Sequence, residues 1–188
     1  MNEIAPNRNH NVGRRLSETA KSNPDGMAIA MPVRKSGDAY EQLTFQELDD
    51  DSNQLAAGLL SMGVQPGMRI VLLVPPSIDF ISLVFAMLKA GMVIVLIDPG
   101  MGRKNLIRCL EEVEPEGFVA IPLAQAVRTL LKQRFPRSRF HVTVGRRWFW
   151  GGKTVSQFRS NSTATPPTCT TKEDDPAAII FTTGSTGP

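Results

Sequence analysis

The stretch "IDFISLVFAMLKAGMVIVLI", Ile78 to Ile97, decides what kind of protein this is. Its twenty residues would be enough to span a bilayer if they were uniformly apolar. They are not: Asp79 and Lys89 carry charge, and Gly91 interrupts the helix-forming part. After the glycine, Val93, Ile94, Val95, Leu96 and Ile97 make a largely β-branched run of strand length. The stretch therefore reads as a buried helix, a turn and a buried strand, with Ser77 placed to cap the helix and Gly91 to end it.

The same rhythm continues on both sides. Upstream, Val12, Leu16 and Ala20 predict a short amphipathic helix over Val12 to Ser22, ended by Asn23-Pro24, and Met27 to Met31 reads as a strand. Thr44 followed three residues later by Glu47 is a capping box, in which hydroxyl and carboxylate each take an orphan amide. Leu48, Leu55, Leu59 and Met62 follow on one helix face, and Gly63 closes it. Arg69 to Val74 is apolar without alternation, as a strand covered on both faces would be.

Downstream come the Asp98-Pro99-Gly100 turn, a helix from about Arg103 to Val113 and a strand Gly117 to Ile121. A helix over Leu123 to Gln133 and a strand near Phe140 to Val144 follow. Strand alternating with helix predicts an α/β fold, a parallel sheet with helices on both faces. The composition then changes: "RSNSTATPPTCTTKEDDP" is rich in Ser, Thr and Pro and then acidic, so 158–175 is expected to be an exposed connector without a packing face. It leads to one last strand, Ala177 to Phe181.

A length of 188 residues suits one domain with a real core, or one large domain cut short. With 41% hydrophobic and 21% charged residues, neither wholesale disorder nor a membrane protein is the default. The net charge of +3 comes from Lys and Arg spread from Arg8 to Lys172, which suits an anionic small molecule and does not imply nucleic acid. "GRRWFW", Gly145 to Trp150, has the ingredients to stack on bases, but without a nucleic-acid-binding module it reads as a strand or hairpin packing its rings inward. Cys109 and Cys169 form no CxxC pair, and His10 and His141 stand apart, so no zinc ligand set is expected. Free cysteines and an N-terminus without a signal-peptide core point to a reducing, cytoplasmic setting.

The final strand runs into "TTGSTGP". Thr182, Thr183, Ser185 and Thr186 supply four hydroxyls, while Gly184 and Gly187 let the backbone turn its amides toward one centre, as phosphate loops do. On composition alone, the same residues also fit a solvated turn. A P-loop is excluded, since no Lys-Ser/Thr pair follows a glycine in the required register. A dinucleotide fingerprint finds Gly100 and Gly102 but Asn105 in place of the third glycine.

"IIFTTGSTGP" resembles the phosphate loop of the adenylate-forming (AMP-dependent synthetase/ligase) superfamily, which includes acyl-CoA synthetases, peptide-synthetase adenylation domains and luciferases. In that pattern Pro188 falls on a variable position, after which Pro-Lys-Gly would come. "LTFQELDDDSNQLAAGL", Leu43 to Leu59, and "LKAGMVIVLIDP", Leu88 to Pro99, resemble two earlier signatures of the family in the same order; both also read as structural segments. From Ile97 onward, "IDPGMGRKNLIRCLEEVEPEGFVAIPLAQAVR" and the later "VTVGRRWFWGG" are similar to the branch of olefin β-lactone synthetases and fatty acid CoA ligase-like proteins.

The resemblance implies the N-terminal part of the large domain of a two-step enzyme that uses ATP and Mg²⁺. A carboxylate attacks the α-phosphate, and pyrophosphate leaves an acyl-adenylate. A fatty or β-hydroxy fatty acid would be the substrate; the product would be a β-lactone or, if CoA takes part, a thioester from a long-chain fatty acid–CoA ligase. Thr182, Thr183, Gly184, Ser185, Thr186 and Gly187 would bind the ATP phosphates, with no catalytic or metal-ligating residue in the chain. The family's C-terminal lid domain would lie beyond it, so 1–188 is expected to be an incomplete adenylation domain, inactive alone. A non-catalytic phosphate- or nucleotide-binding module and an inert remnant are the alternatives of another class.

Overall fold

A computed structural model describes residues 9–33, 39–161 and 168–182. Helix α1 (Gly13–Ser22) buries Leu16 and Ala20. Strand β1 (Met27–Pro32) follows and pairs antiparallel with β2 (Tyr40–Thr44) in a separate two-stranded sheet. This pair stands outside the expected parallel sheet, because the short connection joining β1 to β2 permits an antiparallel hairpin, whereas parallel neighbours need a long crossover.

Thr44 starts α2 (Phe45–Ser61) through the predicted capping box: its Oγ1 accepts from the Glu47 amide at 3.2 Å, and the Glu47 carboxylate accepts from the Thr44 amide at 2.8 Å. The deciding stretch folds as read. After β3 (Arg69–Leu73), Ser77 Oγ accepts from the Phe80 amide at 3.1 Å and opens α3 (Ile78–Lys89). Gly91, at φ 72°, makes the left-handed turn into β4 (Val93–Ile97).

The chain continues through α4 (Arg103–Val113), β5 (Gly117–Ala120), α5 (Pro122–Leu130), β6 (Phe140–Thr143), β7 (Lys153–Thr154), α6 (Val155–Asn161) and β8 (Ala178–Phe181). Helix α5 ends three residues before the expected Gln133, and a 3-10 turn, Lys132–Arg134, replaces its last part.

Six parallel strands form the main sheet in the order β7-β6-β5-β3-β4-β8. Its two faces sort alternate residues of the apolar runs. Ile70, Leu72, Ile94, Val119 and Val142 pack with Leu55 and Leu59 of α2, Leu83 and Met87 of α3, and Phe158 of α6. Val71, Val95, Ile97 and Phe118 pack on the other face with Leu110 and Val113 of α4 and with Phe135. Burial on both faces explains why these strands lack alternation. Each large side chain buried here contributes roughly 1.5–3 kcal/mol, so the core is set by these two layers.

Two regions differ from expectation. Within the expected connector 158–175, residues through Asn161 belong to α6, and Phe158 is buried against Gly58 of α2, where a Cβ would collide with the ring. Farther along, the Cys169 amide donates to the Lys89 carbonyl at 2.7 Å, and the His10 amide donates to the Thr171 carbonyl at 3.1 Å. Cys169 and Thr171 therefore have backbone partners that composition does not reveal, while 162–167 lie outside the described residues. The second region is 145–152, which is a loop rather than a strand or hairpin, with Trp150 inward but Trp148 and Phe149 outward.

Candidate functional site

The last strand is positioned by its neighbour. β8 lies parallel to β4 in a register that sets Ala178 beside Ile94 and Phe181 beside Ile97. The Asp98 amide donates to the Phe181 carbonyl at 3.0 Å, so the pairing holds to the end of both strands. Thr182 consequently emerges, exposed, next to Asp98 on the carboxyl rim of the sheet. In open parallel α/β sheets this rim is where ligands bind. Of the six residues expected to hold phosphate, Thr182 is at the rim, while Thr183, Gly184, Ser185, Thr186 and Gly187 lie outside the described residues.

Asp98 also organises the next turn. Its carboxylate accepts from the Gly100 amide at 2.7 Å and caps a 3-10 turn, Pro99–Met101. Gly102, at φ 81°, then delivers the chain into α4, whose first turn begins with Arg103 and Lys104 and holds no acidic residue. A helix start carries partial positive charge from its unpaired amides. The rim beside Thr182 thus leads into a positive helix end with two basic side chains in its first turn, a setting compatible with an anion.

A second polar cluster lies inside the molecule, where α2 meets α3. Lys89 is 1% exposed, and its ammonium donates to Asp49 Oδ1 at 2.7 Å, Ser52 Oγ at 2.8 Å, Asn53 Oδ1 at 2.8 Å and the Asp49 carbonyl at 3.1 Å. Ser17 of α1 donates to the same Asp49 oxygen at 2.7 Å, and Asn53 Nδ2 donates to the other at 3.1 Å. Burial pulls the Lys89 ammonium below its ordinary pKa, and the Asp49 carboxylate opposes that pull. Every donor is spent within the cluster, so it joins three helices and offers nothing to a ligand. In the sequence Lys89 reads as a charge interrupting an apolar run and as part of the Leu88 to Pro99 signature, with no partner indicated. The polar run Asp49, Asp50, Asp51, Ser52, Asn53 on an otherwise apolar-striped helix was the available signal for its partner.

A third cluster joins β5 and β6. The buried Gln125 amide donates to the Phe118 carbonyl at 3.2 Å and the Val142 carbonyl at 2.9 Å, and its oxygen accepts from Arg128 Nε at 2.9 Å. Arg128 also lies 3.1 Å from His141 Nε2. Burial first, and then the neighbouring guanidinium, push the His141 pKa down from 6.5 to about 4, so the imidazole is neutral in the folded protein at neutral pH. Since the Arg128 nitrogen donates, His141 Nε2 accepts. Arg159 of α6 makes a two-pronged contact with Asp51 at 2.7 and 2.8 Å and reaches Asp79 at 2.8 Å, tying α6 to α2 and α3. Apart from His141 Nδ1, which is buried without a hydrogen-bond partner among the described residues, these groups are occupied with one another. Among the described residues, no group of three or more His, Cys, Asp or Glu is assembled to hold a metal.

Known proteins resemble this chain in both sequence and fold. The chain is 43% identical over 187 residues to an olefin beta-lactone synthetase of Stenotrophomonas maltophilia, covering 96% of the chain and 34% of that protein. An olefin beta-lactone synthetase of Xanthomonas campestris pv. campestris is 42% identical over 182 residues, covering 94% of the chain and 33% of the relative. The chain thus spans about a third of the length of these curated relatives. Its fold matches the crystal structure of the anthranilate CoA ligase AuaEII in complex with anthranoyl-AMP, with a TM-score of 0.81 at 17% identity over 95% of the chain and 33% of that structure. Residues 16–188 match the AMP-binding enzyme family, and the chain belongs to that family.

Proposed function

We propose that this chain forms the phosphate-holding part of an ATP-dependent acid-activating enzyme, in which a carboxylate attacks the α-phosphate of ATP to give an acyl-adenylate and pyrophosphate. The observation that supports this reading is the delivery of Thr182 to the carboxyl rim by a strand paired to its last residue with β4. In this reading the hydroxyls of Thr182, Thr183, Ser185 and Thr186 and the amides around Gly184 and Gly187 hold the β- and γ-phosphates. Hydrogen bonds to charged groups are worth about 1.5–3 kcal/mol each, so two or three suffice to orient the leaving group. The residues position pyrophosphate and make or break no bond themselves. Magnesium would offset the phosphate charge, and no described side chain is assigned to it.

The acid is a β-hydroxy fatty acid, whose own hydroxyl closes the β-lactone. The support is the 43% identity to a protein named for that product. A fatty acyl-CoA product is the competing outcome. Incubating the protein made from its complete gene with ATP, a β-hydroxy fatty acid and CoA tests both: lactone formed without CoA supports the reading, and thioester formed only with CoA replaces it. The 188 residues alone are expected to catalyse no ATP–pyrophosphate exchange, since they span a third of the relatives' length. Exchange by the purified chain overturns that expectation. Micromolar ATP binding without activation in the complete protein would favour a non-catalytic nucleotide-binding module.

A further inference from the structure

Basic residues are spread along the chain, but carboxylates are not. Residues 117–172 contain ten Lys and Arg and no Asp or Glu, whereas the rest of the chain holds eleven Lys and Arg and eighteen Asp and Glu. Residues 117–161 of it, with nine of the ten Lys and Arg, build one side of the main sheet, from β5 through α5, β6, the 145–152 loop and β7 to α6. Arg134, Arg137 and Arg159 borrow carboxylates from elsewhere in the fold. Lys132, Arg146, Arg147 and Lys153 are exposed and form no ion pair with a described residue.

The same side carries large apolar groups that are exposed in this chain. On α5, Leu123, Val127 and Leu130 are 65%, 47% and 79% exposed, at a spacing that puts them along one helix face. Trp148 and Phe149 are 55% and 70% exposed. The loop adjoins the start of α5, since a Cβ on Gly145 would lie 4.0 Å from Pro122 Cγ.

The outward rings are held in place. Trp150 is buried, with its Nε1 donating to Thr143 Oγ1 at 2.9 Å, and the Trp148 and Phe149 rings sit 5.4 and 5.1 Å from it, centre to centre. Arg147 closes the loop by donating to the Gly152 carbonyl at 2.5 Å. A loop packed around one buried Trp that presents two more aromatic rings has already met much of the ordering cost of an interface.

We propose that this side of the sheet docks on an anionic phospholipid bilayer. Arginines beside Trp and Phe match the headgroup level, where guanidinium meets phosphate and the rings sit at the polar–apolar boundary. The aliphatic stripe of α5 has a place in the outer acyl region but no role in stacking on bases, which separates a bilayer from a nucleic acid. The absence of carboxylates from 117–161 lowers repulsion from anionic lipid. The contact proposed for this side is a surface one; no helix among the described residues is long and apolar enough to cross a membrane.

The test is co-sedimentation of the protein made from its complete gene with phosphatidylcholine vesicles, with and without phosphatidylglycerol. Binding should require phosphatidylglycerol and weaken with added salt. Trp148→Ser with Phe149→Ser should weaken partition onto anionic vesicles by about tenfold or more. Arg146→Gln with Arg147→Gln should cost about tenfold. All of these residues are exposed, and an unchanged melting temperature shows that the variants are folded. No sedimentation with anionic vesicles at low salt overturns the proposal, as does binding indifferent to both pairs of changes. A dimer dissociated by the serine pair, with no vesicle binding, assigns the face to a second copy and also overturns it.

Discussion

The cluster around Lys89 and the rim after β8 are built from similar polar residues, and both come from segments that carry the family likeness. They face opposite ways. Around Lys89, three helices contribute Asp49, Ser52, Asn53 and Ser17, and each polar group points to another. At the rim, β8 spends its backbone on β4 and releases Thr182 toward solvent. A polar group satisfied inside the fold supports architecture, whereas one presented at the carboxyl end of a parallel sheet is available to a ligand. A family signature can therefore mark either role, and hydrogen-bond accounting separates them.

This contrast breaks if the inner cluster proves dispensable for folding. Lys89→Ala strands the buried Asp49 carboxylate and should cost about 3–5 kcal/mol, read as a fall in the denaturation midpoint. Replacing both partners, Lys89→Met with Asp49→Leu, should recover much of that loss, because it removes the uncompensated charge as well as the pair. A single alanine variant as stable as the parent would show that the cluster holds nothing together.

The His141 network sharpens the same contrast, since it too is inward and structural. Its folded pKa of about 4 lies below the ordinary 6.5, so the unfolded chain takes up a proton that the native state refuses between those values. Stability from this group is fully present above about pH 6.5 and is lost as pH falls toward about 4. Melting temperatures across that window should drop with acidification, and His141→Gln should flatten the slope. A slope unchanged by the substitution would remove His141 from the account.

The smallest effect is expected from Thr186→Ala, in the loop sequence after β8, in the protein made from the complete gene. It loses one donor but keeps the turn, so ATP–pyrophosphate exchange should fall by no more than about tenfold, with stability unchanged. Abolished exchange would mean that this hydroxyl is more than one of several phosphate donors.

Much of the main sheet could be read from the chain because its signals are local. Ser77 and Gly91 bound α3, the Thr44–Glu47 box starts α2, and the unalternating Arg69–Val74 and Val93–Ile97 runs announce strands buried on both faces. The hairpin partner Tyr40–Thr44 escaped, since its pattern merges with the start of α2. So did the docking of Cys169 on the Lys89 carbonyl, a contact across eighty residues made through the backbone, which no side-chain pattern reports. At the candidate site hydroxyls and glycines suggest a phosphate loop from sequence alone, but the position of Thr182 beside Asp98 depends on strand order, which sequence periodicity does not encode. The one-sided charge of 117–172 was in the sequence all along, hidden because basic residues alone are evenly spread.

The central claim, that the loop after β8 holds the outer phosphates of ATP, is tested most directly by Gly184→Val in the protein made from its complete gene, comparing its affinities for ATP and for AMP. A side chain at that glycine obstructs the approach of backbone amides to phosphate. ATP affinity should fall by about a hundredfold, the loss of one or two charged hydrogen bonds, while AMP, which lacks the β- and γ-phosphates, binds as before. Equal affinities for ATP in parent and variant would contradict the assignment.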